Sequence, residues 1–358
     1  MSNILILGAS YGSLLATKLA MAGHRVRLVC SSATADLINR EGTIVRFPRK
    51  EAPGTLQVHS RELPGYIDAA VPDDVEPRGH DMAVLAMQEA QYADPAVRGL
   101  MQRIAAARVP CLALMNMPPP PFLRRLPGLD LDLLAGCYAA PDAWDDFDPA
   151  LVTLASPDPQ AFRPAGEGKN VLVVGLPTNF KAATFEDAAA TALLRRLAAD
   201  IERHPDVPVK LKVHDSPFVP LAKWPMLVTG NYRCVEPEGM VSIRRAVHRD
   251  LDRSRAVYEW AMDLCCRLGA SPEDLVPFDK YAQAAASLQK PSSAARALSE
   301  GAMHIERVDQ LVHAIATQLH VVHDDCRGIV ATVDARLRGN RAAAVRQDVR
   351  EPVLQTHP

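Results

Sequence analysis

The chain is 358 residues long, 48% apolar, with a net charge of −2 from 40 basic and 42 acidic side chains mixed along its length. That length and apolar content fit a fully folded protein of two domains, and the balanced charge excludes a basic stripe for nucleic acid or for a membrane surface. No apolar run is long enough to span a bilayer and Asn3 leads straight into a core strand, so a cytoplasmic protein without a leader is expected.

Residues 4–7 form a short apolar run suited to a buried parallel strand. The loop Gly8-Ala9-Ser10-Tyr11-Gly12-Ser13 follows, and then an apolar-periodic helix with Leu14, Leu15, Leu19 and Ala22 on its inner face. Gly23 ends that helix as a residue open to positive φ, and 26–29 is the next strand. The unit is a βαβ opening whose glycines lie where a pyrophosphate would meet a helix N-terminus, although Ser10 stands near the place of the middle glycine of the usual G-x-G-x-x-G. A short helix is expected at 34–40, strands at 81–87 and 109–115, and a helix at 95–107. Strands at 170–175 and 207–213 flank a helix at about 185–203, while 139–168 gives no clear pattern. Alternating strands and helices imply a largely parallel sheet.

From about residue 214 long helical patterns dominate. Val257, Trp260, Ala261, Leu264 and Leu268 share one stripe, and Val308, Leu311, Val312, Ile315 and Leu319 another. Ser271-Pro272-Glu273-Asp274 reads as a helix start, and the tail after about Leu337 reads as frayed. The expected plan is an α/β Rossmann-like dinucleotide-binding domain at 1–212 and an all-α domain for substrate and dimerisation at 213–358, with the active site in a cleft between them. The seven cysteines show no metal-ligand spacing, and free thiols in a reducing compartment are expected.

Lys223 stands in a strongly apolar segment, where a lowered pKa would suit it to protonating a carbonyl oxygen; a solvated helix-surface lysine is the bland alternative. His214 and His304 read as structural, and His320, His323 and Asp324 lack a third metal ligand, so no metal is expected. Ser292 and Ser293 have no suitably spaced base for nucleophilic chemistry; they would bind a substrate carboxylate or cap a helix.

These residues together resemble the ketopantoate reductase family. Leu7-Gly8-Ala9, Gly12-Ser13-Leu14-Leu15, Leu19-Ala20 and Ala22-Gly23-His24 match its N-terminal unit after one deletion in the loop. Asp215 and Lys223 keep its interval between an acidic residue and the catalytic lysine. Asn231 matches a family asparagine, whereas Leu227 replaces another. Pro291-Ser292-Ser293 fits its serine pair, Leu298 and Gly301 keep its spacing, Glu306 fits its glutamate one residue late, and Asn116 its asparagine near the nicotinamide. Gln88 replaces a lysine that meets the cofactor phosphate, although Gln91 fits, and Met117 replaces a glycine.

The resemblance implies an NAD(P)H-dependent reductase of a 2-oxo acid or related small-molecule carbonyl. Lys223 would be the catalytic proton donor, and Asn231, Ser292 and Ser293 would bind substrate. Gly8, Ala9, Ser10, Tyr11, Gly12, Ser13, Ser31, Gln88 and Asn116 would hold the cofactor, with Glu306 bridging it to the active site. A homodimer is a further expectation. Ser31 stands where a basic residue usually favours a 2′-phosphate and an acid would favour NAD; with Ser32 and Arg40 nearby, the expected cofactor is NADP, with NAD as the alternative. Leu227 argues against ketopantoate itself. Two competing expectations are an opine-dehydrogenase-like imine reductase and a non-catalytic cofactor-binding protein, the latter motivated by Gln88 and the altered glycine loop.

Overall fold

In the computed structural model, which describes residues 1–49, 54–205 and 207–348, the βαβ opening forms as β1 (Asn3–Leu7), α1 (Gly12–Met21) and β2 (Arg25–Val29). Gly23 closes α1 at φ 83°. The chain continues through α2 (Ser32–Glu41), β3 (Ile44–Pro48), β4 (Thr55–His59), β5 (Tyr66–Ala70), β6 (Met82–Leu85), α3 (Pro95–Ala106), β7 (Cys111–Leu114) and α4 (Pro120–Leu123). Then come β8 (Val152–Ser156), β9 (Gln160–Phe162), β10 (Val171–Leu176), β11 (Phe180–Ala183), α5 (Ala188–Glu202) and β12 (Leu211–His214).

Eight of these strands form one sheet in the order β12-β11-β8-β7-β6-β1-β2-β5, parallel throughout except between β8 and β11. Its central strands are buried on both faces, which is why β1 (Ile4 to Leu7), β6 and β7 read as unbroken apolar runs. A second, four-stranded sheet orders β4-β3-β10-β9. Asp94 caps α3 by accepting from the Ala96 and Val97 N–H groups, and Asp187 caps α5 through Ala190. Lys18 is buried in α1, where its ammonium donates to the Val207 carbonyl at 2.7 Å.

The chain divides into two compact units, Met1–Pro127 with Ala139–Leu221 and Gly128–Tyr138 with the chain from Ala222 on. The division therefore follows Leu221 rather than residue 212, because β12 pairs with β11 as far as His214. The second unit is helical apart from one small hairpin, β13 (Val235–Glu236) with β14 (Gly239–Met240). Its helices are α6 (Lys223–Met226), α7 (Ile243–His248), α8 (Leu251–Arg267), α9 (Phe278–Ala285), α10 (Ser293–Ser299), α11 (Val308–Gln318) and α12 (Asp324–Asp348). Both apolar stripes face inward, on α8 and α11. The start at Ser271 is a capped 3-10 turn rather than the mouth of an α-helix. The frayed-tail expectation is corrected as far as Asp348, since α12 runs to that residue; residues 349–358 lie outside the described residues. No described helix is long and apolar enough to cross a membrane.

Candidate active site

In the first unit the chain runs from β1 outward to β2 and β5 on one side, and to β6, β7 and β8 on the other. The strand order thus reverses between β1 and β6, the position where open α/β sheets hold ligands beyond the carboxyl ends of their strands. Four candidate segments fall on that edge: Gly8–Ser13 after β1, Ser31 after β2, Gln88 after β6 and Asn116 after β7.

The glycine loop is tight for a physical reason. Gly8 has φ 108°, its N–H donates to the Val29 carbonyl at 2.9 Å, and a Cβ there would lie 2.7 Å from the Ala86 carbonyl oxygen. Gly12 opens α1, and a Cβ on it would lie 2.6 Å from Ile6 Cγ2. Ser13 turns inward, its hydroxyl donating to the Ala9 carbonyl at 2.7 Å, so it fixes the loop from within. Ser10 is exposed at the loop tip. Tyr11 forms a wall: its hydroxyl donates to the Pro159 carbonyl at 2.7 Å and its ring meets Phe180 edge-on. Burial, with Asp158 nearby, keeps that phenol protonated. No side chain caps α1 and no acid stands in its first turn, so the helix N-terminus keeps its positive end for an anion. These features fit a dinucleotide pyrophosphate.

The neighbouring positions are less specialised. Ser31 is exposed, and its hydroxyl donates to Thr34 Oγ1 at 3.1 Å. Arg40 stands in the last turn of α2, paired with Glu41; at about 1.5 Å per residue it lies roughly 13 Å along the helix from Ser31, so it is too far to help there. Gln88 is exposed and starts a short turn in which its N–H donates to Gln91 Oε1 at 3.0 Å. Gln91 is therefore a turn residue. Next to them Glu89 is buried and accepts from the Ala139 N–H at 2.9 Å, and burial pushes its carboxyl above the usual range. Asn116 is half-buried.

In the second unit Lys223 opens α6 and is half-buried between the buried residues Ala222 and Trp224. The helix then widens into a π-turn over Leu227–Asn231 and tightens into a 3-10 turn over Tyr232–Cys234. Such irregularities break the regular i to i−4 ladder and often mark functional positions. Tyr281 packs into this turn: its hydroxyl donates to the Met226 carbonyl at 3.1 Å and occupies the space a Cβ on Gly230 would need, 1.9 Å away.

Three of the predicted residues meet at the end of this segment. The Asn231 carbonyl accepts from Ser292 Oγ at 2.6 Å, and Ser292 also caps α10 by accepting from the Ala295 N–H at 3.1 Å. Ser292 is buried, so its hydroxyl braces Asn231, while Ser293 is exposed at the start of α10. Tyr232 donates to the Glu306 carbonyl and accepts from the Val308 N–H, which fixes Glu306 beside the same turn. Behind it Arg307 holds the fully buried Asp309 through two bonds of 2.9 Å and reaches Asp334. Asp215 belongs to the first unit, where it is exposed and pairs with Arg195. His214 is half-buried at the end of β12 and His304 is exposed. Among the described residues no group of three or more histidines, cysteines or carboxylates could hold a metal.

Sequence reading missed Tyr281, Tyr232 and Arg163. The guanidinium of Arg163, just past β9, donates to the Ala9 carbonyl at 3.2 Å. Neither tyrosine nor arginine stands in a recognisable motif; each reaches its partner across a long stretch of chain.

No family model matches the sequence, and no curated protein matches it. Solved structures do. D-mandelate dehydrogenase, determined with NADH and anilino(oxo)acetate, superposes with a TM-score of 0.65 at 14% identity, over 95% of this chain and 99% of its own. The 2-dehydropantoate 2-reductase of Methylococcus capsulatus gives 0.64 at 13% identity, over 99% and 100%. The dimeric ketopantoate reductase of Staphylococcus aureus gives 0.59 at 12% identity, over 94% and 99%. This chain has the fold of the ketopantoate reductases, a mostly parallel Rossmann-like sheet followed by a helical unit.

Proposed function

We propose that this protein is an NAD(P)H-dependent reductase of a 2-oxo acid or a related carbonyl compound. The observation that carries the reading is the glycine loop at the reversal of strand order, where Gly8 closes on the Ala86 carbonyl and α1 is left uncapped by any side chain. The presence of NADH and an oxo-acid ligand in the structurally similar D-mandelate dehydrogenase supports it. A nicotinamide cofactor held there would supply the hydride for the carbonyl carbon. Lys223 delivers a proton from Nζ to the carbonyl oxygen and so stabilises the charge that develops there; water then restores its proton. Asn231 and Ser293 orient the substrate, Ser292 holds Asn231 through its carbonyl, and Glu306 would contribute to holding the cofactor. Asn116 helps position the nicotinamide or the substrate.

Leu227 is nearly fully buried within the turn that joins Lys223 to Asn231. An apolar side chain there leaves a substrate hydroxyl without a partner, which costs about 1–3 kcal/mol, so the preferred substrate differs from ketopantoate. NADP is the preferred cofactor. None of the seven cysteines forms a disulfide, which agrees with a reducing cytoplasm, and the helical unit would carry the contact of a homodimer; one structural neighbour is dimeric.

The test is oxidation of NADPH and NADH with straight-chain, branched and aromatic 2-oxo acids, with Lys223→Ala as the control. Turnover of at least one 2-oxo acid above that control is expected. Cofactor oxidation only when an amine is added would favour an imine reductase instead, and cofactor binding without any turnover would leave a binding protein.

A further inference from the structure

The loop after β2 lacks any charged group that would distinguish the two nicotinamide cofactors: it reads Cys30-Ser31-Ser32-Ala33. The Ser31 hydroxyl is engaged with Thr34, and Arg40 is paired with Glu41 at the far end of α2. A cation reaches this corner from elsewhere. Arg163 follows β9 at the edge of the four-stranded sheet. Its Nη2 donates to the Ala9 carbonyl at 3.2 Å, and its Nε is buried with no hydrogen-bond partner. Among the described residues no carboxylate pairs with it. Burial raises the pKa of the nearby Cys30 thiol and the guanidinium opposes part of that rise, leaving it at about 11, so the thiol is neutral and supplies no counter-charge.

The guanidinium is thus anchored two residues past β1, at Ala9, and acts electrostatically on Cys30, one residue past the adjacent strand β2. In a dinucleotide fold the end of β1 holds the pyrophosphate and the end of β2 the adenosine ribose, whose 2′ position separates NADP from NAD. Holding a guanidinium half-buried without a counter-charge is costly, and its planar fork matches a phosphate better than any other side chain does. We propose that Arg163 selects NADPH by binding its 2′-phosphate beside Cys30 and Ser31. This rests on the reading of the glycine loop as a dinucleotide site.

Titration calorimetry of the full chain with NADPH and with NADH tests it, comparing wild type, Arg163→Gln and Arg163→Lys, with thermal melts to confirm folding. Wild type should bind NADPH more tightly than NADH. Arg163→Gln should weaken NADPH by about 10- to 100-fold, the effect of one charged hydrogen-bonding group, and NADH by less than about threefold. Arg163→Lys, which keeps the charge but not the fork, should fall between and serves if the glutamine variant does not fold. Equal losses for the two cofactors would mean that Arg163 meets the pyrophosphate, unchanged NADPH affinity would mean that it meets neither group, and a wild-type preference for NADH would mean that no 2′-phosphate is held there; each overturns the proposal while leaving the dinucleotide site intact. A wild type that binds neither cofactor overturns both.

Discussion

Gly230→Ala should destabilise the protein, and Tyr281→Phe should reverse the sign of that change. A Cβ on Gly230 would lie 1.9 Å from the Tyr281 hydroxyl, where a carbon–oxygen contact needs about 3.3 Å. Tyr281 has no room to withdraw: it is 6% exposed, its ring stacks on Tyr258 at 5.1 Å, and its hydroxyl is tied to the Met226 carbonyl. Overpacking of this kind costs about 1–3 kcal/mol, and a displaced hydroxyl leaves a buried carbonyl unpaired for about 1–3 kcal/mol more. The gain of roughly 1 kcal/mol from alanine in a helical position offsets part of this, so a net loss of about 3 kcal/mol is expected. In Tyr281→Phe the obstructing oxygen is gone and the nearest ring atom stands at 3.3 Å. Alanine there should then be neutral or mildly stabilising. Urea unfolding of the four proteins forms a double-mutant cycle, and its coupling energy should be about 3 kcal/mol. Equal costs of Gly230→Ala in the two backgrounds would refute the view that Tyr281 shapes the π-turn between Lys223 and Asn231. Turnover should follow the same pattern, since that turn sets the register of the two residues.

Three further outcomes follow from the site and its surroundings. Lys223→Ala should lower turnover by about 10²–10⁴-fold with little change in cofactor affinity, and turnover near wild type on the best substrate would remove Lys223 from the chemistry. Ser10→Asp should weaken both dinucleotides by at least about tenfold without changing the melting temperature, because Ser10 is exposed and the added carboxylate would face a pyrophosphate bound at the proposed site; calorimetry with unchanged affinity would place the phosphates elsewhere. His24, His80 and His313 all have pKa values lowered from 6.5, in each case first by burial. Their contribution to stability is complete above about pH 6.5 and is lost as pH falls from there toward the folded values, because the unfolded chain binds more protons in that window. The melting temperature should therefore drop below about pH 6.5, more shallowly in His24→Gln, and a flat profile down to about pH 5 would contradict it.

The residues that were legible in the sequence are those whose reason is local. Ile4 to Leu7 and Met82 to Leu85 are buried on both faces of a parallel sheet, so their apolar runs carry the signal by themselves. Gly23 ends its helix by chemistry confined to one turn of chain. The strands that escaped notice are of another kind. β5, at a sheet edge, buries only Ile67 and Ala69 and reads Tyr-Ile-Asp-Ala-Ala, without apolar-polar alternation, and β9 is three residues long with Gln160 and Phe162 exposed, so neither shows a run or a sustained period in the sequence. β8 is fully buried but contains Thr153 and Ser156; Thr153 is satisfied by the Ala183 carbonyl, a partner that adjacent sequence does not reveal.

The same distinction divides the candidate site. The phosphate side of a dinucleotide fold is read from glycines that must be glycines, because backbone meets backbone there, as at Gly8 and Ala86. The supporting groups act over distance: Tyr281 on Met226, Ser292 on Asn231, Tyr232 on Glu306, and Arg163 on Ala9. Each is a side chain meeting a main-chain carbonyl, and a carbonyl carries no sequence signature, so no spacing rule links the partners. Substitution at such positions changes orientation before it removes a chemical group, so their variants should alter the ratio of turnover to binding more than the pH dependence of either. Ser292→Ala makes the point measurable. It removes both the cap of α10 and the brace on Asn231, and should cost about 1–2 kcal/mol of stability. Ser292→Thr keeps a hydroxyl for both bonds and should restore most of the stability and the turnover. If alanine lowers turnover without lowering stability, and threonine fails to restore it, Ser292 meets the substrate directly and the assignment as a brace is wrong.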